Sequence, residues 1–358
     1  MLFVSGLLYT KKHMLEGLKE NVSLKEYSTM RLGGNARYLC EVQDYHDIQQ
    51  IVEWADTQSL PVIMIGGGSN IIWKDEGFPG VVIVNRIPGF EIQDQGEQQF
   101  LIIGAGENWD EVVERSVANG LSGIEQLSLI PGTAGATPIQ NVGAYGREIA
   151  DVLVCVQAYD RTEKKMVVLP KSDCGFSYRS SRFKESDKGR FFITSITLTL
   201  EKRNPRPPFY AAVDSFIQQQ GIAQNEVTSK IIRDAVIAIR SAKLPDPKEV
   251  ANCGSFFHNP IVPMMILEEI RDKYPGVAYW PVGDDEAKIS AGWLLEQLGL
   301  KGYHEPNTGI YVWDKQALVF VNEKATQTAQ LLAFRDAVLK SVKDTFSIDL
   351  VQEPELLP

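Results

Sequence analysis

The sequence predicts an α+β chain in which a two-part, strand-rich first half precedes a more helical third domain. Three observations carry this. Short apolar runs alternate with amphipathic stretches up to about residue 200, a charge- and proline-rich break follows at residues 202–208, and helical apolar faces dominate beyond it.

Taken in order, Ile48, Ile51, Val52 and Ala55 mark an amphipathic helix, and residues 61–65 and 81–84 read as buried strands. A second block opens with Phe100-Leu101-Ile102-Ile103. It continues with a helix showing Trp109, Val112, Val113 and Val117 on one face, then strands at 152–159, 166–169 and 191–200. Lys202-Arg203-Asn204-Pro205-Arg206-Pro207-Pro208 is the linker candidate. Beyond it, Ile231, Ile232, Ala235, Val236 and Ile239 form one helical face, and Leu331, Phe334, Val338 and Val342 another. A helix at 289–298 and strands at 310–313 and 317–321 lie between them, and no repeat recurs at a fixed period.

Composition narrows the function. At 358 residues the chain exceeds one ordinary core, so two or three domains are expected. A formal charge of -10 argues against a nucleic-acid surface, which needs a basic face, but a few local Arg and Lys residues can still hold an anionic small ligand. Cys40, Cys155, Cys174 and Cys253 are widely spaced with no C-x-x-C pair, which fits a reducing cytoplasm. His13, His46, His258 and His304 are equally scattered and there is no H-E-x-x-H, so no metal site is expected. No apolar stretch approaches the roughly 18 residues of a membrane span. The apolar start, residues 1–8, is followed rather than preceded by Lys11-Lys12, the reverse of a secretory signal; it reads as a frayed leader, with Met14 an alternative start.

Five segments carry candidate chemistry. Gly66-Gly67-Gly68-Ser69-Asn70 follows a strand, so backbone N–H groups there could approach a pyrophosphate. It runs into Ile71-Ile72-Trp73, which favours strand, so it is a strand–loop–strand cradle and not a Rossmann helix start. A plain glycine-rich turn is the bland alternative. The long loop 130–146, with Pro131, Gly132, Gln140, Asn141 and Gly143, is rich in Gly and Ala; small residues admit a flat ring, and Gln140 and Asn141 could bond its edge. A structural Ω-loop is the alternative there. Arg179, beside Tyr178 and among hydroxyl residues, could meet a carboxylate with its fixed fork, or be an ordinary solvated arginine. Ser255, after Gly254 and before Phe256-Phe257, could present its hydroxyl in a dry pocket, but without G-x-S-x-G or a placed histidine it makes a poor hydrolase nucleophile. The tail Gln352-Glu353-Pro354-Glu355 is acidic, and exposed chain-end carboxylates are its default reading.

In this order, the segments Thr29-Met30-Arg31-Leu32-Gly33-Gly34, Gly66 to Asn70, 130–146, Tyr178-Arg179, Gly254 to Phe257 and Glu353 to Glu355 resemble the UDP-N-acetylenolpyruvoylglucosamine reductases, the MurB family of bacterial cell-wall flavoproteins. The resemblance spans about residues 21 to 356, and the stretch with Tyr210 resembles the branch carrying a substrate-covering tyrosine loop. It implies three α+β domains: a two-part FAD-binding domain of the vanillyl-alcohol-oxidase/PCMH type at 21–88 and 89–203, and a substrate domain at 204–350. Residues 1–20 would be a poorly ordered leader, and 351–358 a tail carrying Glu355. It further implies non-covalent FAD, reduction of that FAD by NADPH, then entry of the enolpyruvyl UDP-sugar and hydride transfer to its vinyl carbon. Ser255 matches the proton donor. Arg179 and Glu355 match the pair around the substrate carboxylate, where Arg179 would stabilise enolate charge and Glu355 would help most if kept protonated. Tyr178, Tyr210, Arg240, Lys243, Asn259 and Gln316 resemble substrate contacts. His258 and Trp313 depart from the family pattern. A cytoplasmic monomer, without nucleic-acid or membrane partner, is expected.

Two rivals remain at this level. An FAD-dependent oxidase of related fold often tethers its flavin through His or Cys, which the glycine loop lacks, and has no need of Ser255, Arg179 and Glu355. A non-catalytic flavin or nucleotide-sugar module would bind without turnover.

Overall fold

The computed structural model describes residues 17–358. Residues 1–16 of the leader, the Met14 start among them, therefore fall outside the described residues, while Lys19 and Glu20 open the strand Lys19–Ser23. The chain divides into two compact units, each discontinuous in sequence. One takes in the described residues up to Val22 with Ala36–Gly67 and Phe78–Arg240; the other takes in Ser23–Asn35, Gly68–Gly77 and Ser241–Pro358.

In the first unit, Asn35–Val42, Phe78–Asn85 and Val62–Ile65 lie parallel, with Val62 opposite Val81 and Cys40 opposite Ile83. Phe78–Asn85 is buried at every position but Pro79, as expected of a parallel strand covered on both faces. The helix Tyr45–Thr57 starts where Asp44 accepts a hydrogen bond from the His46 N–H at 2.7 Å, and buries the predicted Ile48, Ile51, Val52 and Ala55.

An antiparallel sheet of five strands follows, ordered Lys165–Pro170, Leu153–Asp160, Phe191–Glu201, Gln98–Gly104 and Phe90–Gln95. The helix Trp109–Ala118, capped by Asn108, packs Trp109, Val112 and Val113 with Leu101, Ile103, Ile196 and Leu198 of that sheet. The Trp109 indole donates to the Leu127 carbonyl at 2.9 Å, so its polar edge is satisfied inside the core. Helices Ala211–Gln219 and Ser229–Lys243 share a smaller core of Val213, Ile217, Ile232, Ala235 and Val236.

In the second unit, Asn252–Ser255, Val319–Asn322, Ile310–Val312 and His304–Glu305 form one sheet, and Ile261–Pro263, Glu286–Ile289 and Tyr279–Val282 another. Helices Met264–Lys273, Ala291–Gln297 and Thr328–Phe346 accompany them. Phe256 stacks on Phe320 with centroids 4.6 Å apart. Met30, Leu32 and Ile72 belong to this same core, which is why residues 23–35 and 68–77 join the C-terminal part of the chain.

One ion pair of the first unit has a large thermodynamic handle. Asp160, whose side chain is 3% exposed, accepts from Arg190 Nε at 3.1 Å and Nη2 at 2.7 Å, and from the Thr162 and Glu163 amides. These hydrogen bonds, Arg190's foremost, hold its carboxyl below the usual carboxylate range. The stabilisation is therefore present above the ordinary Asp value of about 4 and is lost as pH falls through the lower native value. We expect Asp160→Asn to lower unfolding free energy at pH 7 by about 2 kcal/mol. Urea unfolding below about pH 4 should show the wild type approaching the variant; an equal gap at both pH values would refute this.

Candidate active site

The two glycine-rich loops singled out in the sequence meet within the first unit. A Cβ built on Gly66 would collide with Thr133 Oγ1, and one on Gly67 would sit 2.9 Å from Gly132 Cα. At Gly67 backbone therefore lies against backbone, which only glycine permits, and at Gly66 it lies against the Thr133 side chain. The strands flanking the loop do not form a hairpin. Val62–Ile65 pairs with Phe78–Asn85, whereas Ile71–Trp73 pairs with Glu355–Leu357 in the second unit, so Gly66 and Gly67 belong to one unit and Gly68, Ser69 and Asn70 to the other. This bare-backbone cradle fits a pyrophosphate-bearing cofactor such as FAD.

Residues 130–146 are packed, not open. Pro131 and Gly132 adjoin the Gly67 contact, and Ala134 is fully buried. Asn141, 1% exposed, adopts φ +47° and donates to Glu148 Oε2 at 2.7 Å and Ser177 O at 3.1 Å, while its Oδ1 accepts from the Ala150 N–H at 3.1 Å. Its amide thus shapes the loop through three bonds inside the protein. Gln140 is half-buried beside it.

Gly143 joins this loop to the arginine segment: Arg179 Nη2 donates to the Gly143 carbonyl at 2.7 Å. Arg179 sits in a tight turn closed by reciprocal Ser177–Ser180 backbone bonds of 3.1 and 3.2 Å, at φ +53°. Its guanidinium lies 5.3 Å from the Tyr178 ring centroid. A side chain held at a sparsely populated backbone angle and tied by its fork is fixed in orientation.

A third group in this unit gathers Tyr145, Tyr210 and Arg240. The two rings meet edge to face with centroids 5.6 Å apart, and Tyr145 bonds to Arg240. Tyr210 keeps 44% of its surface exposed. Arg240 is half-buried with its Nε lacking a hydrogen-bond partner. Burial pushes its guanidinium below the ordinary value and pushes the Tyr145 phenol up. Two turns earlier on the same helix, buried Arg233 grips Asp110 through Nη1–Oδ1 at 2.6 Å and Nη2–Oδ2 at 3.1 Å. Burial raises the Asp110 carboxyl, but the Arg233 and Leu129 hydrogen bonds outweigh it and the net direction is down. Sequence reasoning missed Tyr145 as a site residue although it lies inside the quoted loop; Asp110 and Arg233 left no signal, because their pairing spans helices far apart in the chain.

The second unit holds the remaining residues. Ser255 ends Asn252–Ser255 opposite Val319, after a register shift. Gly254 has φ +74°, and Asn252 Oδ1 accepts its N–H at 2.9 Å, so a bulge presents Ser255. The chain's tail runs alongside: Glu353 N–H donates to Phe256 O and His258 N–H to Val351 O, both at 2.9 Å. Glu355 N–H donates to Asn70 O at 2.9 Å, and Glu355–Leu357 pairs parallel with Ile71–Trp73. The tail is not a loose acidic end: it bonds first to Phe256–His258, just after Ser255, and then, as a strand, to the residues following Ser69. His258 contributes its backbone to the first of these pairings.

Asn259 Oδ1 accepts from the Ala291 N–H at 2.9 Å, and Gln316 Oε1 lies 3.0 Å from where a Gly292 Cβ would stand, so both gather at the start of Ala291–Gln297. Trp313 donates to the Lys243 carbonyl at 3.0 Å. Among the described residues no group of His, Cys, Asp and Glu could hold a metal ion, and no helix is long and apolar enough to cross a membrane.

Comparison with known proteins places this architecture. Residues 36–167 match the family model described as an FAD binding domain, and 246–357 match the C-terminal domain of UDP-N-acetylenolpyruvoylglucosamine reductase. The reductase of that name from Pseudomonas putida is 39% identical over 339 residues, covering 94% of this chain and 98% of that protein. The chain belongs to the UDP-N-acetylenolpyruvoylglucosamine reductase family. The Chromobacterium violaceum reductase is 36% identical over 95% of this chain and 98% of its own length. The solved reductase from Thermus caldophilus shares the fold, with a TM-score of 0.66 at 24% identity, covering 95% of this chain and all of that one. The expected α+β fold, with an FAD-binding domain ahead of the family's C-terminal domain, is thus the fold of this reductase family member.

The cradle generates a direct test. Gly67→Ala adds a Cβ against immovable backbone, and we expect flavin affinity to fall at least roughly tenfold. The ratio of flavin absorbance to protein after dialysis measures it; a full flavin complement in the variant would show that these loops do not hold the cofactor.

Proposed function

We propose that the chain catalyses NADPH-dependent reduction of the enolpyruvyl ether of UDP-N-acetylglucosamine to UDP-N-acetylmuramate, a step of peptidoglycan precursor synthesis. The 39% identity to a reductase of that name over 98% of its length carries this reading. FAD is held non-covalently by Gly66, Gly67, Gly68, Ser69 and Asn70, and by Pro131, Gly132, Gln140 and Gly143, with Asn141 keeping the second loop in shape. When bound, it supplies the hydride, received from NADPH and passed to the vinyl carbon.

The chain's own residues manage charge and proton. Hydride addition leaves an electron pair on the carbon next to the carboxylate, and Ser255 Oγ gives that carbon its proton. A serine hydroxyl is a feeble acid, so it stays protonated at neutral pH and suits a strongly basic acceptor. Arg179, oriented by Gly143 and Tyr178, opposes the enolate charge as it grows. Glu355 acts on the same carboxylate. Arg240, Tyr210 and Tyr145 take the diphosphate, supported by the Arg240 Nε that lacks a protein partner. Lys243, Asn259 and Gln316 complete the nucleotide-sugar contacts.

The protein works as a cytoplasmic monomer without nucleic-acid or membrane partners. The charge of -10 supports the absence of a nucleic-acid partner.

Purified protein should be yellow, bleach with NADPH under anaerobic conditions and recolour on addition of the enolpyruvyl UDP-sugar. Recovery with oxygen but not with that substrate would identify an oxidase instead. Ser255→Ala should keep flavin reduction by NADPH while the second half-reaction slows by roughly 10²–10⁴-fold. Equal loss in both halves, followed by stopped-flow absorbance, would remove Ser255 as proton donor.

A further inference from the structure

Resting on the assignment of Lys243 to the nucleotide, we propose that Trp313 and Arg31 are positioning residues that clamp the segment 243–248 from two sides and so set Lys243 for its ligand. Lys243 is the last residue of Ser229–Lys243 and its side chain is exposed. The last carbonyls of a helix have no partner inside it, and a lysine loses much rotational freedom when it grips a ligand. A fixed backbone beneath it confines that loss to the side chain.

Two donors from distant parts of the second unit supply the fixing. The Trp313 indole N–H donates to the Lys243 carbonyl at 3.0 Å. Trp313 is itself held, its backbone N–H bonded to Val319 O at 2.9 Å and its ring 5.9 Å edge-on from Tyr311. Tyr311 stacks on His304 at 4.0 Å, and His304 Nδ1 lies 3.1 Å from Glu323. On the other side, Arg31 Nη2 donates to Lys248 O at 2.6 Å and Pro247 O at 3.2 Å. Arg31 stands at φ +57°, and the preceding Met30 carbonyl accepts from Asn322 Nδ2 at 3.1 Å. Between the two clamps the segment braces itself, Asp246 accepting from the Lys248 and Val250 amides. Indole and guanidinium carry donors and no acceptor, so each can pin a carbonyl and neither competes with it for donors. Trp313 also lies three residues before Gln316, another proposed contact, so one rigid turn serves both.

The test is a double-mutant cycle with the holoenzyme: Trp313→Phe, Lys243→Ala and both together, measuring KM for the enolpyruvyl UDP-sugar and kcat at saturating NADPH. Phenylalanine keeps the ring contact with Tyr311 and deletes only the donor. We expect Trp313→Phe to raise KM roughly fivefold with kcat little changed, and the double variant to be no worse than Lys243→Ala. Arg31→Gln should show the same KM-only change and the same non-additivity, and stands in if Trp313→Phe loses its flavin or melts early. Additive effects, or a wild-type KM in both Trp313→Phe and Arg31→Gln while Lys243→Ala is impaired, would overturn the clamp and leave the Lys243 assignment standing. A wild-type KM in Lys243→Ala would remove that assignment and the clamp with it.

Discussion

Backbone hydrogen bonds hold the end of the chain to two separate segments of the second unit, and the proposed chemistry there depends on them. Residues 351–353 lie along Phe256–His258, and Glu355–Leu357 then runs parallel to Ile71–Trp73, closed by the Lys74 N–H on Leu357 O at 3.0 Å. A three-residue strand has little stability of its own. It persists because the residues before it are themselves bonded to Phe256 and His258 and because Leu357 is buried. The tail therefore orders, through two successive pairings, the residues following Ser255, the residues following the glycine loop, and Glu355 itself. A carboxylate at a chain end would otherwise be mobile and solvated.

The first unit solves a related problem with small residues. A loop that must hold a flat, charged ligand needs backbone near the ligand, yet a loop without regular structure leaves polar groups to satisfy. Asn141 does the second task, taking Glu148, Ser177 and Ala150 at once. Gly67 does the first, by letting two loops touch backbone to backbone, and Gly66 by making room for Thr133 beside it. Arg179 ties its turn to Gly143, so the rigid part of one motif orients the cation of the next.

Long periodic elements were legible in the sequence because burial writes its period into residue choice: the predicted faces of Tyr45–Thr57 and Thr328–Phe346 are buried, as is that of Trp109–Ala118 apart from the half-buried Val117. Phe90–Gln95 was not, since an edge strand with one exposed side reads as polar, Phe-Glu-Ile-Gln-Asp-Gln. Met264–Lys273 was hidden by the prolines before it. The apolar side chains of Met30, Leu32 and Ile72 do not reveal that their core lies more than 180 residues further along the chain. At the site, motif order was readable and pairing was not. The bonds Asn141 makes to its own surroundings were not readable, because an amide is equally able to bond a ring or its own loop.

The acidity of the whole chain and its proposed diphosphate ligand are reconciled by local cancellation. Asp110 and Arg233 neutralise each other through a bidentate pair, which leaves Arg240 as the net positive group beside Tyr145 and Tyr210. Acids elsewhere act weakly, because charges beyond about 8 Å are screened at physiological salt. Burial opposes Arg240's charge, but a guanidinium begins so far above neutrality that it stays cationic. The consequence is a cation whose Nε is desolvated before any ligand arrives. Part of the cost of binding is thus already borne by the fold, and a phosphate oxygen there would recover a hydrogen bond that the protein alone does not make.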